Sequence, residues 1–492
     1  MRHARHGSRN RAEQVTNLSG STKRIVDSER HEMGDPNTER GLRCGQVLLT
    51  DGWASDQTVR FNQDGAITGI TGTTDADAAF QKARGPVIPG MANLHSHAFQ
   101  YGMAGLAEKT ESAGGFWSWR DVMYRVANTV DPDSFAAVAA QLYADMLRQG
   151  FTAVGEFHYL HHAPDGRPYD SPAIMSLAAI EAARRTGIAL THLPVLYAHG
   201  GFGGAPPGED QRRFIHDSTS YSNLIDALSQ SVADEPDIRI GIAAHSLRAV
   251  TPDQLSDAAD LAKSAGMPIH IHVAEQPKEV DDCRAHLGAR PAEWLLDNLA
   301  VDDRWCLIHA THMTPAETEA LARSGAVAGL CPTTEANLGD GIFDAPRFLD
   351  AGGAFGIGTD SHISVDPAQE LRLLEYGQRL TQGRRGILGC GHAHTGAGLY
   401  RTAAQGGGRA LGRKMGVIAV GYRADFVVLD PEHSLLAGRK NDTLLDSLVF
   451  AAGAGAIRDV FVAGRKIIDD GKHAEDRLLK PAFQDALKVI IG

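Results

Sequence analysis

Hydrophobic residues recur along the middle of the chain in short runs that alternate with stretches of helical periodicity. Eight of these apolar runs are bounded by turn residues, which is typical of buried strands. They are VIPGMANLHSHA, FTAVGEFHY, IALTHLPVLY, IRIGIAAHS, MPIHIHVAE, WCLIHATH, AVAGLCPTT and AFGIGTDSH. Between several of them a threonine followed by proline marks a helix start, as at Thr251-Pro252 and Thr314-Pro315. A strand and a helix repeated eight times over about 270 residues predict an α/β fold of the (β/α)8 TIM-barrel class.

The two ends of the chain show a different pattern of short alternating strands joined by Gly- and Asp-containing turns. It covers GQVLLTDGW and QTVRFNQDGAITGI near the start, and ADFVVLD and IRDVFVAGRKIIDDGKH near the end. We expect a small composite β-sandwich from residues 41–87 and 413–475, beside a metal-dependent barrel over residues 88–412. Residues 476–492 have the period of a closing amphipathic helix. Residues 1–40 are polar without a hydrophobic period, so we expect a poorly ordered extension there.

Composition and charge exclude several classes of partner. The chain has 60 acidic against 48 basic residues, a formal net charge of −12. This balance argues against a nucleic-acid or anionic-membrane partner, because both need a basic face. No apolar run approaches the roughly 18 residues of a membrane span. The five cysteines are widely spaced and odd in number, which argues against a disulfide framework and favours the cytoplasm.

Histidines and acids cluster where the predicted strands end, which is the catalytic end of a barrel. His95 and His97 end the first strand, His272 ends the fifth and Asp360 ends the eighth. Alternate strand residues face the same side, so the first two histidines can bind one ion. A lone histidine in an apolar run is usually a core residue, but this set at three strand ends predicts a metal centre. Three imidazoles and one carboxylate suit one Zn²⁺ per chain, with Fe²⁺ as the alternative, and leave a position for water.

Two further residues at the strand ends suit proton transfer. Glu275 lies just after the fifth strand, where it can take a proton from metal-bound water and deliver it to a substrate nitrogen. The alternative is that Glu275 is only an acid at a helix N-terminus. His309, at the end of the sixth strand, can polarise the developing charge or hold the hydroxide. Asp360 then acts both as a metal ligand and as a catalytic residue.

Other candidate ligands fit the site less well. His270 shares the face of His272 but lies deeper in the barrel, so we expect a structural role. His158, His161 and His162 suggest a second metal site, but we expect them at the rim of the active site instead. The lysines in this part of the chain fall outside the predicted strands, so a carboxylated lysine bridging two metals is not expected.

The order of these residues and their flanking sequences resemble the amidohydrolase superfamily, specifically its mononuclear deaminase branch. The shared motifs are the H-x-H after PGMANL, the H-x-x-E of HVAE, the histidine of the sixth strand and the aspartate of GTDS. GYRADFVVLD and VFVAGRKIIDDG are similar to the C-terminal sandwich strands of the superfamily. The resemblance covers about Gly45 to His473. It implies an amidohydrolase-type barrel, one divalent metal per chain and a homodimer.

Within that branch the chain is similar to the formimidoylglutamate deiminases. The stretches that carry this are NLHSHAFQYGMAGLAE, FWSWRDVMY, EFHYLHH, HSLRAV, HIHVAEQPKEVDDC, CPTTEANLGDGIF and GTDSHISVDPAQELRLLEYGQRL. That family hydrolyses N-formimino-L-glutamate to N-formyl-L-glutamate and ammonia in histidine degradation. The resemblance therefore implies that metal-bound hydroxide attacks the formimino carbon, with Glu275 as the proton shuttle.

The substrate of that family is a small dicarboxylate, so its pocket needs cations although this chain is acidic. By motif match, Arg120 in FWSWRD and Arg248 in HSLRAV would hold the carboxylates as bidentate forks. The same resemblance assigns Gln100, Tyr159 and His245 to the pocket. Without the resemblance, each arginine would be read as a surface ion pair of little energetic value.

Other functions stay open at this point. Deamination of an aromatic base such as guanine, or of another amidine, uses the same metal chemistry but needs stacking side chains, which Trp117 and Trp119 could supply. Tyr101 departs from the family pattern, where a basic residue is expected, and would alter the substrate if it shapes the pocket. A non-enzymatic scaffold of the same fold should have lost ligands, whereas the four ligands and Glu275 are all present.

Overall fold

The chain is described by a computed structural model over residues 39–108 and 116–492, with side chains given for all of these except 116–118. Residues 1–38 of the predicted N-terminal extension lie outside the described residues. The strands are β1 Arg40–Leu49, β2 Gly52–Phe61, β3 Ile67–Gly72, β4 Gln81–Lys82, β5 Val87–Pro89, β6 Met91–Ser96, β7 Phe151–His158, β8 Ala189–Leu196, β9 Ile238–Ile240, β10 Ile242–Ser246, β11 Ile269–Val273, β12 Trp305–His309, β13 Val327–Leu330, β14 Ala354–Ile357, β15 Phe426–Leu429, β16 Ile457–Val462, β17 Arg465–Asp469 and β18 Lys472–His473. The α-helices are α1 Phe116–Ala127, α2 Pro132–Arg148, α3 Ile174–Thr186, α4 Ser218–Ser231, α5 Pro252–Ala265, α6 Pro277–Leu287, α7 Pro291–Asn298, α8 Pro315–Ser324, α9 Pro332–Leu338, α10 Ala345–Asp350, α11 Pro367–Gln382, α12 Thr395–Ala410, α13 Asp442–Ser447 and α14 Asp476–Ile491.

Eight parallel strand positions close into a barrel, and this confirms the predicted fold class. The hydrogen-bonded order runs from β6 through β7, β8 and β9, and from β10 through β14 back to β6. The fourth position is divided into β9 and β10, and β10 pairs with both β8 and β11, which closes the ring. Every residue of β7 and β8 is buried, as expected for strands covered by helices on the outside.

The first predicted barrel strand is two strands in the structure. The run VIPG forms β5, which joins another sheet, and the chain enters the barrel only after Gly90. The glycine is needed because a Cβ at this position would lie 2.3 Å from Oγ1 of Thr152. His95 and Ser96 therefore end a six-residue barrel strand, β6.

The two ends of the chain combine into a separate nine-stranded sheet. Its order is β18, β17, β16, β15, β5, β1, β2 and β3, with β4 paired to β1. The N- and C-terminal parts meet where β15 runs antiparallel to β5, with Val427 opposite Ile88. Phe61, Phe426 and Phe461 pack in an apolar cluster that belongs to this sheet.

The predicted helix starts at Thr251 and Thr314 cap α5 and α8. Each threonine hydroxyl accepts the backbone N–H three residues on, at 3.3 Å in both helices. Within the two described ranges, no helix is both long and apolar enough to cross a membrane.

Candidate active site

Four predicted ligands meet at the C-terminal end of the barrel. Nε2 of His272 lies 3.0 Å from Nε2 of His95, and Oδ1 of Asp360 lies 3.2 Å from Nε2 of His97 and 3.5 Å from Nε2 of His95. Ligand atoms about 2.0–2.1 Å from a tetrahedral zinc are about 3.3 Å apart, so this spacing fits one ion. All four side chains are buried.

Backbone carbonyls orient two of these imidazoles. Nδ1 of His97 lies 2.8 Å from the Phe157 carbonyl oxygen, and Nδ1 of His272 lies 2.9 Å from that of His245. A carbonyl only accepts, so each Nδ1 carries the proton and each Nε2 presents its lone pair to the site. Burial lowers the pKa of both histidines and of His95, and the neutral imidazole is the form that binds a metal. The chemistry of this donor set therefore fits a divalent cation.

A second group of possible ligand atoms combines His309, Cys331 and Asp360. Burial raises the pKa of the Cys331 thiol well above its ordinary value, whereas the thiolate is the ligand form. This group also shares Asp360 with the three histidines. The histidine group is therefore the better metal site.

Glu275 and His309 face the ligands from the other side of the site. Nε2 of His309 lies 3.8 Å from Oδ2 of Asp360 and 3.9 Å from Oε1 of Glu275. Burial raises the pKa of Glu275, which suits a carboxyl group that both accepts and returns a proton. Sequence reasoning missed Glu335, whose Oε1 lies 3.3 Å from Nδ1 of His309 and also accepts the Cys331 N–H. Its position just after the seventh barrel strand was the available signal.

The backbone is strained where these strands end. Ala274, His309 and Asp360 have φ values of 52°, 68° and 44°. Residues with a side chain rarely adopt this left-handed region, which costs roughly 1–2 kcal/mol each. Such strain persists where the surrounding structure holds it, and it concentrates at functional sites.

A cavity lies over the predicted ligands. The structure brings the five predicted substrate residues together on its wall: Gln100, Arg120, Tyr159, His245 and Arg248. Trp119 lines the same cavity, while the side chain of Trp117 lies outside the described part of the chain. Sequence reasoning did not single out the other apolar and aromatic wall residues, because they come from helices and loops that lie far apart along the chain. They are Met123, Tyr124, Tyr197, Phe214 and Leu338.

The two arginines give this cavity a cationic wall in an acidic protein. The Arg120 guanidinium carbon lies 5.4 Å from the centre of the Tyr124 ring. Nε of Arg248 lies 3.4 Å from Oγ of Ser246. Burial works to lower the pKa of Arg248, but Tyr197 and nearby glutamates outweigh it and raise that pKa, so the side chain stays charged.

Tyr101 does not shape the cavity. Its hydroxyl donates to Oδ2 of Asp145 at 2.9 Å, and its ring stacks on Phe483 with the ring centres 5.6 Å apart. Gln100, the residue before it, faces the cavity and donates to the Tyr159 hydroxyl oxygen at 3.0 Å. The departure at Tyr101 therefore concerns packing against α14 and not the wall of the pocket.

The other histidines belong to the core. His158, His161 and His162 are buried and absent from the cavity wall, so the predicted place at the rim is wrong. His161 and His162 each donate from Nε2 to a backbone carbonyl, at 3.0 and 2.8 Å. Among the described residues these three form no metal-binding group. His270 donates to the Ala410 carbonyl at 2.8 Å, in agreement with its predicted structural role.

The lysines do not complete a second metal site in the described ranges. Lys278 lies on α6, where Nζ is 2.7 Å from a carboxylate oxygen of Asp282. Lys263 lies near the end of α5. Lys109 lies outside the described residues.

The chain belongs to the amidohydrolase family, because the family model for this group matches residues 87–467. This range spans the barrel with its four predicted metal ligands and most of the C-terminal part of the second sheet.

Within the family, the chain is 50% identical over 444 residues to the formimidoylglutamate deiminase of Pseudomonas aeruginosa, covering 90% of this chain and 97% of that protein. The crystal structure of an amidohydrolase from Brucella melitensis is similar with a TM-score of 0.88 and 47% identity, over 92% of this chain and 100% of that one. An adenosine deaminase from Xanthomonas campestris, solved with bound zinc, shares the fold at 23% identity, with a TM-score of 0.77 over 92% of this chain and 98% of that one.

Proposed function

We propose that this protein hydrolyses N-formimino-L-glutamate to N-formyl-L-glutamate and ammonia, as a step of histidine degradation. The observation that carries the proposal is that one cavity is lined both by three of the proposed metal ligands and by two arginines. The ligands are His97, His272 and Asp360, and the arginines are Arg120 and Arg248. A small dicarboxylate with a reactive C–N bond needs this combination of a hydrolytic centre and two cations. The relative from Pseudomonas aeruginosa, which is named for this activity, supports the same substrate.

We infer that His95, His97, His272 and Asp360 hold one divalent cation per chain, with zinc first and iron second. When bound, such a cation supplies Lewis acidity and lowers the pKa of a water molecule toward neutrality. Nδ1 of His97 and Nδ1 of His272 each donate a hydrogen bond to a backbone carbonyl oxygen. These bonds keep Nε2 of each ring directed into the site.

Arg120 and Arg248 bind the two carboxylates, away from the reacting carbon. A guanidinium group matches a carboxylate with two parallel hydrogen bonds, so two such pairs fix both position and orientation. Gln100, Tyr159 and His245 line the same cavity. The binding energy of the remote carboxylates then places the formimino carbon beside the attacking water.

Glu275 moves the proton. Its carboxylate takes a proton from the water as the new C–O bond forms at the formimino carbon. It gives this proton to the terminal nitrogen as the C=N bond becomes a single bond. The remaining proton of the attacking water then passes through Glu275 to the same nitrogen as the C–N bond breaks and the formyl C=O bond forms, so that ammonia leaves. His309 and Asp360 orient the water and offset the developing charge. The glutamate nitrogen keeps its bond to the carbon, so the product is N-formyl-L-glutamate.

The specificity assay compares N-formimino-L-glutamate, N-formiminoglycine and guanine on metal-loaded protein, with ammonia release as the readout. We expect kcat/KM for the dicarboxylate to exceed that for the monocarboxylate at least about 30-fold, because one buried charge pair is lost. Guanine should be inert, although Trp119 and Tyr124 offer aromatic rings in the cavity. Turnover of guanine with none of N-formimino-L-glutamate would overturn the proposal in favour of an aromatic-base deaminase.

We also propose that the protein is a homodimer in the cytoplasm, without nucleic-acid or membrane partners. Its acidic charge and its five free cysteines fit that compartment. Light scattering of the purified protein should give the mass of two chains. A mass of one chain, constant over a wide concentration range, would contradict the dimer.

A further inference from the structure

Three consecutive helices of the barrel open with the same sequence pattern, in which a capping residue is followed by proline, any residue and glutamate. The three segments are Gln276-Pro277-Lys278-Glu279 at α6, Arg290-Pro291-Ala292-Glu293 at α7 and Thr314-Pro315-Ala316-Glu317 at α8. A glutamate at this third helical position commonly turns back to the N–H of the capping residue. Glu293 does so at 3.1 Å and Glu317 at 2.7 Å.

Glu279 departs from this arrangement at α6. Its carboxylate reaches beyond Gln276 to the two residues before it. Oε1 accepts the Ala274 N–H at 2.9 Å, and Oε2 accepts the Glu275 N–H at 3.0 Å. Both oxygens are therefore used on consecutive amides of the segment that joins β11 to α6.

This segment needs support from its surroundings. Ala274 has a φ of 52°, the left-handed region that a residue with a side chain rarely adopts. It separates the end of β11, which carries His272, from Glu275. The direction of the turn decides where the Glu275 carboxylate lies, and that carboxylate is 3.9 Å from Nε2 of His309. A small rotation at Ala274 would move Glu275 out of reach of the water and the substrate nitrogen.

We propose that Glu279 is a positioning residue for proton transfer, whose two hydrogen bonds hold Glu275 in its reactive place. Glu279 touches none of the four metal ligands through a hydrogen bond, and it lines a second cavity beside the active site together with Arg248 and Glu275. It therefore acts through the backbone of Glu275. The role of Glu275 in turnover rests on the proposed function. The two hydrogen bonds by which Glu279 holds the turn at Ala274 and Glu275 do not depend on it.

The kinetic test compares Glu279→Gln and Glu279→Asp with the matched control Glu293→Gln. Glutamine keeps the size of the side chain but replaces one acceptor oxygen with a donor, and aspartate keeps the charge but is too short to span both amides. We expect both Glu279 variants to lose about 10- to 100-fold in kcat, with KM within about twofold and one metal per chain retained. Glu293→Gln makes the same change at the ordinary cap of α7, where one acceptor oxygen suffices for the Arg290 N–H, and should leave kcat unchanged.

The split between kcat and KM separates positioning from general damage. Wild-type kcat in Glu279→Gln would overturn the proposal. Wild-type kcat in Glu279→Asp alone would assign the effect to charge, and would overturn it as well. A fall in kcat that follows loss of metal or of folded protein would show a structural role only.

Hydrogen exchange measured by mass spectrometry tests, without any substrate, whether Glu279 stabilises the turn at Ala274 and Glu275. Peptides covering residues 273–279 should exchange faster in Glu279→Gln than in the wild type, while Glu293→Gln should match the wild type there. Equal exchange in all three proteins would overturn the proposal. If the wild type fails to turn over N-formimino-L-glutamate, the proposed function fails, and the exchange result still decides whether Glu279 holds the turn.

Discussion

Glu275 is the residue whose substitution separates proton transfer from metal binding. We expect Glu275→Gln to retain one metal per chain and to lose at least about 100-fold in kcat, because glutamine cannot carry the proton. Metal analysis and ammonia release measure the two effects on the same sample. Turnover at the wild-type rate would show that another group transfers the proton.

Arg248 tests substrate recognition at the same scale. Replacement by methionine keeps much of the side-chain volume but removes the charge, so KM for the dicarboxylate should rise by about 30-fold or more. The metal content should not change, because the hydrogen bond of the Arg248 side chain goes to Ser246 and not to a proposed ligand. Arg185→Met is the matched control, since Arg185 pairs with Glu475 at the protein surface. An unchanged KM in Arg248→Met would remove this residue from the substrate site.

The residue scale also shows what a sequence can and cannot reveal about a site. The meeting of His95, His97, His272 and Asp360 could be predicted, because barrel strands end at one face and alternate residues point together. Glu335 and Glu279 could not, because their roles depend on which backbone and side-chain atoms lie near their carboxylates. The position of Glu335 just after a barrel strand indicates only that it lies near the site, and spacing along the chain does not show which atoms it contacts.

At the scale of elements, the turn after β14 shows how closely the strands approach at the metal site. A Cβ at Gly358 would lie 2.7 Å from Cβ and 3.0 Å from the backbone nitrogen of His95. Gly358→Ala should therefore displace His95, lower metal content and cost about 1–3 kcal/mol of stability.

The control for this prediction is Gly69→Ala on β3, where no atom lies within 4 Å of the added Cβ. Metal per chain and Tm are measured for both variants. Full metal content with an unchanged Tm in Gly358→Ala would mean that the strands can separate without loss of stability. The close approach at Gly358 would then not be required for the site.

The pattern of apolar runs predicted where the barrel strands lie. It did not predict that two of these runs each form two separate strands. Val87–Pro89 and Met91–Ser96 form one apolar run and yet belong to different sheets. The fourth run is likewise split into β9 and β10. Burial on both faces makes such runs uniformly apolar, so periodicity cannot tell where a strand leaves one sheet and joins another.

At the scale of the whole molecule, buried histidines should make stability depend on pH. Burial lowers the pKa of His158 to about 3 and that of His216 to about 4, and it also lowers the pKa of His161 and His192. The unfolded chain binds protons on these groups near pH 6.5, whereas the folded chain does not. Their contribution to stability is therefore complete above about pH 6.5 and is lost as the pH falls toward about 4.

His192 offers the sharpest test of this pH dependence. Neither of its ring nitrogens has a hydrogen-bond partner among the described residues. Between about pH 6.5 and 5.5, the free energy of unfolding should fall less in His192→Leu than in the wild type. The difference between the two decreases should be up to about 1.4 kcal/mol. Urea unfolding at each pH measures this, and the exposed His392→Leu is the control. An identical pH dependence in the wild type and His192→Leu would contradict the account.

The proposed deimination requires that water attacks the formimino carbon and that the terminal nitrogen leaves. The most direct measurement is product mass after metal-loaded protein has reacted with N-formimino-L-glutamate in water labelled with the heavy oxygen isotope. Deimination should give ammonia, and N-formyl-L-glutamate with the label in its formyl group. Labelled formamide together with glutamate would show that the other C–N bond breaks, and would contradict the proposed deimination.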